Sequence, residues 1–278
     1  MTAHPNLLLE HFSYTYPFAD RPAFTDVSFE LLSGETLGIV GPSTSGKTSL
    51  LYAIAGILQK HFPAGIMSGN ILREAAKPFI SPAEIGFVFQ DQYMQLSGAT
   101  ETVEAEIAFS LEQLGTPPNI IRERIVEQVS QFHLEHLARR HPQTLSGGET
   151  RMLALACEMA KHPRCLLLDQ PTESLHPEGI NLLINALNRI KQSAMLIVVE
   201  HRLELINALC DKVLFLLNGN QQFYGHPSEL FSSDIDTHSL DIPSWIDAQR
   251  KLLGHVETLS YRKSLRTLQQ WHSSNLQT

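Results

Sequence analysis

The sequence predicts an α/β fold built on a mostly parallel sheet, and three observations predict it. Short apolar runs at 36–40 (TLGIV), 165–169 (CLLLD), 194–199 (AMLIVV) and 212–217 (KVLFLL) have the length and hydrophobicity of strands buried on both faces. Stretches with helical spacing lie between them, the alternation that returns successive strands in the same direction. A glycine-containing segment at 41–48 follows the first run directly and leads into a helical stretch.

The other elements follow in order. Residues 7–40 read as strands and turns, with a half-buried strand over Phe24–Leu32 and a turn at Ser33-Gly34-Glu35. Lys47–Leu58 reads as a helix carrying Leu50, Leu51, Ile54 and Leu58 on one side. IMSGNIL (66–72) and IGFVF (85–89) read as two more strands. From about 101 to 161 the pattern is helical: one helix before Pro117-Pro118, a second after it and a third after Gly148. This block reads as an insertion into the sheet core. Beyond 226 come a short helix near Pro227–Phe231, a polar stretch, and helical patterns from 244 onward.

Composition narrows the class. Hydrophobic residues make up 43% and charged residues 18%, as in a folded globular protein. The formal charge of −8 argues against nucleic acid as a partner, which calls for a basic surface. Cys157, Cys165 and Cys210 are odd in number and have no zinc-site spacing, so they read as buried small hydrophobes in a reducing compartment. No apolar run reaches the roughly 18 residues of a membrane span, and MTAHPNLLLEHF lacks the features of a secretory signal. A cytosolic protein able to dock on a membrane partner is the expectation.

The segment Gly41-Pro42-Ser43-Thr44-Ser45-Gly46-Lys47-Thr48 fits G-x-x-x-x-G-K-[ST] in its required place between strand and helix. Backbone N–H groups of such a loop converge on an anion, and the helix that follows adds its positive end. The pattern predicts a nucleoside triphosphate with magnesium, Lys47 reaching the β- and γ-phosphates and Thr48 holding the metal, with Ser49 beside it. Thr44 stands where many such loops carry glycine. Asp169, closing CLLLD, is the expected second magnesium element.

Leu145-Ser146-Gly147-Gly148-Glu149 opens a helix ahead of Asp169. In isolation Ser146 would be a plain helix cap. In this order and spacing the chain resembles the ATP-binding-cassette ATPases over about residues 7–230, and the pentapeptide resembles their signature motif. The resemblance implies a P-loop NTPase core with an N-terminal antiparallel β subdomain, a helical signature subdomain at about 91–161 and a C-terminal helical extension at 231–278. It also implies that Tyr16 stacks on adenine and that Gln90 is the Q-loop glutamine and a magnesium contact. His201 is by the same likeness the switch histidine, and Ser174, Leu175 and His176 belong to the D-loop. In that family two cassettes form a head-to-tail dimer, each ATP lying between one phosphate loop and the partner's signature.

One position departs from the family pattern. The resemblance calls for a glutamate after Asp169 as general base, and this chain has Gln170. An amide can hydrogen-bond the attacking water and cannot accept its proton, which predicts retained ATP binding with slow turnover. Either a substitution that traps the ATP-bound dimer or a naturally degenerate site of a heterodimer accounts for it. His176, where the D-loop usually has Asp, favours the second.

Phe89–Leu96 followed by Thr102–Phe109 resembles the energy-coupling-factor (cobalt/vitamin importer) branch, as do Glu200–Glu204 and Gly225–Phe231. The likeness implies a peripheral subunit on the cytoplasmic face of a membrane. Its implied partners are a second ATPase, identical or paralogous, a transmembrane scaffold and a substrate-capture subunit. A cassette that binds ATP without hydrolysing it, or a soluble cassette outside transport, are the alternatives.

Overall fold

The computed structural model describes residues 7–232 except 33, 74–76, 79–83, 92–93 and 174. Gln92, Tyr93, Ser174 and the tail from 233 onward therefore lie outside the described residues, and with them nearly all of the expected C-terminal extension.

The described residues contain ten strands in one sheet: β1 Leu7–Thr15, β2 Phe24–Leu31, β3 Thr36–Val40, β4 Ile66–Arg73, β5 Lys77–Pro78, β6 Ile85–Val88, β7 Cys165–Asp169, β8 Met195–Val199, β9 Lys212–Leu217 and β10 Asn220–Gly225. Their order is β5-β4-β1-β2-β10-β9-β3-β8-β7-β6. From β9 to β6 all neighbours are parallel, while β5, β4, β1 and β2 pair antiparallel. The expectation of a mostly parallel sheet holds for that core, and the antiparallel wing matches the expected β subdomain. A single pairing, Asn220 with Thr25, joins the wing to β10.

Alternation along the central strands explains both layers. Leu166 and Leu168 of β7 face one core; Cys165 and Leu167 face the other. The first core is covered by α3 (Val103–Glu112), α5 (Gly147–Ala160), α6 (Pro177–Ile190) and α7 (Leu203–Leu209). The second is covered by α1 (Lys47–Ile54) and α2 (Ile57–His61) and continues into the wing. The last described helix, α8, spans Pro227–Ser232, and α4, Pro118–Gln131, packs with α3 and α5 as the helical insertion. Among the described residues no helix is long and apolar enough to cross a membrane.

Two details differ from the sequence reading, and a third adds to it. The helix expected over Lys47–Leu58 is split, because Gly56 takes a left-handed backbone (φ 73) between α1 and α2. β10 was not expected. In β1 the buried positions slip from Leu7 and Leu9 to Phe12 and Tyr14, because His11 (φ 47) forms a bulge that shifts the register against β2. All three cysteines are free and buried; burial raises their thiols, Cys165 to about 12.

Candidate functional site

The phosphate loop starts where β3 ends. Gly46 (φ 95) leads directly into α1, and a Cβ there would meet the Ala23 carbonyl at 2.3 Å, so only glycine fits. Thr44 also has a left-handed backbone, φ 65, which explains why such loops favour glycine at this position. Lys47 is buried, and its ammonium donates to the carbonyls of Gly41 (3.0 Å) and Pro42 (2.8 Å). Burial lowers its pKa, and the nearby Asp169 carboxylate works in the opposite direction.

Asp169 ends β7 beneath this loop. Burial raises its carboxyl pKa, while a hydrogen bond from Thr48 and the charge of Lys47 lower it. Its Oδ1 is buried without a hydrogen-bond partner. An orphaned carboxylate oxygen beside the Thr48 hydroxyl is the donor set a hard divalent cation takes, so these two residues fit magnesium. The orphan oxygen has a testable consequence. Asp169→Asn should stabilise the nucleotide-free fold by about 1 kcal/mol at neutral pH, since the cost of burying the carboxylate outweighs its hydrogen bond from Thr48 and its attraction to Lys47. The sign follows from the raised pKa: in the native protein this position is least unfavourable at acid pH and becomes costly as pH rises through the folded pKa. Thermal melts in a chelator at pH 7 should show a gain of about 2–4 °C, together with lost magnesium-dependent nucleotide binding.

A cavity of about 230 Å³ is lined by Ala23, Ser43, Thr44, Ser45, Gly46, Lys47, Thr48, Ser49, Gln170 and His201. The fold thus gathers the loop, Gln170 and His201 in one place. Gln170 is held by its N–H to the Val199 carbonyl (2.9 Å), with φ 47. The Tyr16 hydroxyl donates to Ser49 Oγ (3.2 Å), and its ring meets Tyr14 and Phe62 edge to face. Gln90 does not line this cavity; its carbonyl and that of Phe89 instead accept from the Arg151 guanidinium at 2.9 and 2.7 Å.

The signature lies elsewhere. Ser146 caps α5 in a reciprocal capping box with Glu149, whose carboxyl the Ser146 N–H holds below the usual range. Leu145 is buried beneath it. Ser146, Gly147, Gly148 and Glu149 line a second, larger cavity of about 820 Å³ together with Leu175, His176 and residues of α6. The two cavities share no lining residue.

Sequence reasoning assigned no role to three residues that tie these parts together. The buried Glu200 carboxylate accepts from Thr172 N–H (3.3 Å) and Oγ1 (2.6 Å) through one oxygen. Its other oxygen accepts from the N–H groups of His201 (2.8 Å) and Arg202 (3.2 Å). The loop bearing Gln170 is thereby fixed to the loop bearing His201. On α5, Arg151 holds the 89–90 carbonyls, and Glu158 accepts from Phe87 N–H (3.2 Å) and Gln95 (3.0 Å). The signal for Arg151 and Glu158 was present: charged residues inside an apolar helix are buried only when paired.

Comparison with known proteins agrees with this fold. Residues 24–173 match the family model described as ABC transporter. The energy-coupling factor transporter ATP-binding protein EcfA1 of Lacticaseibacillus paracasei is 32% identical over 238 residues, covering 84% of each chain. The solved structure of cbiO1 from Clostridium perfringens, described as part of the ABC transporter complex cbiONQ, superposes with a TM-score of 0.71 at 26% identity, over 82% of this chain and 90% of that one. A dimeric post-hydrolysis ATP-binding cassette, MJ0796 bound to ADP and Pi, shares the fold at 22% identity and a TM-score of 0.68, over 80% of this chain and 98% of that one. Several other relatives are longer, and this chain spans 40–46% of their length. With its phosphate loop, signature helix and α/β P-loop NTPase fold, the chain belongs to the ABC transporter family as an ATP-binding protein.

Proposed function

We propose that this chain is the ATP-binding subunit of an energy-coupling-factor type importer, working as one half of a cassette dimer. The observation that supports the dimer is that the two cavities share no lining residue, the phosphate loop belonging to one and Ser146–Gly148 to the other. Two chains placed head to tail bring each phosphate loop to the other's Ser146–Gly148. Lys47 would leave the Gly41 and Pro42 carbonyls for the β- and γ-phosphates, and the phosphate-loop N–H groups would cradle the same oxygens. Thr48 and Asp169 would hold magnesium, which neutralises charge on the phosphates. His201 would face the terminal phosphate, and Gln170 would orient water without taking its proton.

The likeness to EcfA1 over most of both chains supports the importer branch. In this reading residues 7–230 are the cassette, 91–161 its helical insertion and 231–278 an extension that packs the ATPases together. The chain sits peripherally on the cytoplasmic face, and its second ATPase is a copy or a paralogue. Affinity purification of the tagged chain from detergent-solubilised membranes should recover a transmembrane scaffold and a small substrate-capture protein. Recovery of no membrane protein would refute the importer role.

Gln170 favours a second reading, in which the chain binds ATP as a switch and a partner hydrolyses. Steady-state turnover of the purified complex separates the two.

A further inference from the structure

The loop over residues 16–23 joins β1 to β2 along the phosphate loop, and both of its ends are anchored there. At one end Tyr16 is bonded to Ser49. At the other, the Ala23 carbonyl occupies the space that a Cβ on Gly46 would need, and Ala23 itself lines the phosphate cavity. Between the anchors, Tyr16-Pro17-Phe18-Ala19 closes a β-turn through the Ala19 N–H and the Tyr16 carbonyl (3.2 Å). Proline in the second position and φ 62 in the third define a type II turn, whose third residue is normally glycine or asparagine.

Phe18 is a poor choice for that position on local grounds. A bulky aromatic with a left-handed backbone is strained. Its side chain is fully exposed, at 106% relative accessibility, so no packing within the described chain offsets the strain. Strain held at a surface residue is a mark of function rather than of stability. Phe18 is two residues along the chain from Tyr16, whose ring meets Tyr14 and Phe62 edge to face, on a loop anchored to the nucleotide site at both ends.

We propose that Phe18 is a base-contacting residue that closes over the nucleobase of the nucleotide whose phosphates occupy the 41–48 loop. This rests on the ATP-binding reading above. The turn keeps the ring out in solvent until a base arrives, and the apolar area then removed from water adds to stacking on Tyr16.

The test is titration of the full chain and its Phe18→Gly and Phe18→Trp variants with a non-hydrolysable ATP analogue and with inorganic triphosphate, each with magnesium. Phe18→Gly should bind the analogue about five- to tenfold more weakly and inorganic triphosphate equally well. It should also melt at a higher temperature without nucleotide, because glycine suits the turn; Phe18→Trp should keep the affinity. Equal analogue affinity in all three proteins would overturn the proposal, as would a parallel loss for triphosphate, which places the defect in the phosphate loop. Unchanged analogue affinity with lost self-association would overturn it in favour of a subunit contact. A native chain that binds neither probe would overturn the ATP-binding reading itself.

Discussion

Gln170→Glu is expected to raise steady-state ATP turnover by about 10²- to 10⁴-fold, the usual worth of a positioned general base. The position needs no rebuilding. Gln170 already lines the phosphate cavity with Lys47, Thr48 and His201, and its backbone is fixed by the Val199 carbonyl. Glutamate is nearly isosteric, so the change supplies a proton acceptor and little else. Nucleotide affinity should stay within a few-fold, which separates a chemical gain from a binding gain. Phosphate release by the full chain, alone and with its membrane partners, measures it. An unchanged rate would show that this site lacks more than a base and would favour the switch reading.

Lys47→Ala should weaken nucleotide binding by about 10²-fold or more. Hydrogen bonds between charged groups each contribute about 1.5–3 kcal/mol, and a lysine at this position makes more than one to phosphate oxygens. The native ammonium is poised rather than free, held by two loop carbonyls a short swing from the anion. Because burial lowers its pKa, the native chain should lose nucleotide affinity on the alkaline side earlier than an exposed lysine would dictate; the alanine variant should lack that alkaline limb. Calorimetric titration at several pH values checks both statements. Retention of tight binding by the variant would sink the assignment of 41–48 as the phosphate site.

Local chemistry was legible in the sequence, and long-range chemistry was not. The phosphate loop could be read because glycine, lysine and threonine act through backbone geometry set within eight residues. The Ser146–Glu149 cap is equally local. The tie from Glu200 to Thr172 spans two loops at the ends of β7 and β8, and nothing near either residue announces it. β10 was hidden for another reason. NQQFYG has no apolar period, and it becomes a strand because Asn218-Gly219, both left-handed, turn it back onto β9. The Gly56 break was masked by Leu58, which continues the apolar spacing although the chain has already turned. Gln90 was assigned as the Q-loop glutamine and a magnesium contact by resemblance; in the fold its carbonyl accepts from Arg151, a contact the sequence did not announce.

The burial of the three cysteines reaches beyond stability. With every native thiol enclosed and shifted away from ionisation, the chain presents almost no thiolate at neutral pH. A cysteine introduced at exposed Ser43, on the rim of the phosphate cavity, or at exposed Leu182, beside the signature cavity, would be the single reactive thiol on the surface of the described residues. Fluorescent or spin labels at those two places can follow the approach of two chains during nucleotide binding, with Cys157, Cys165 and Cys210 left in place.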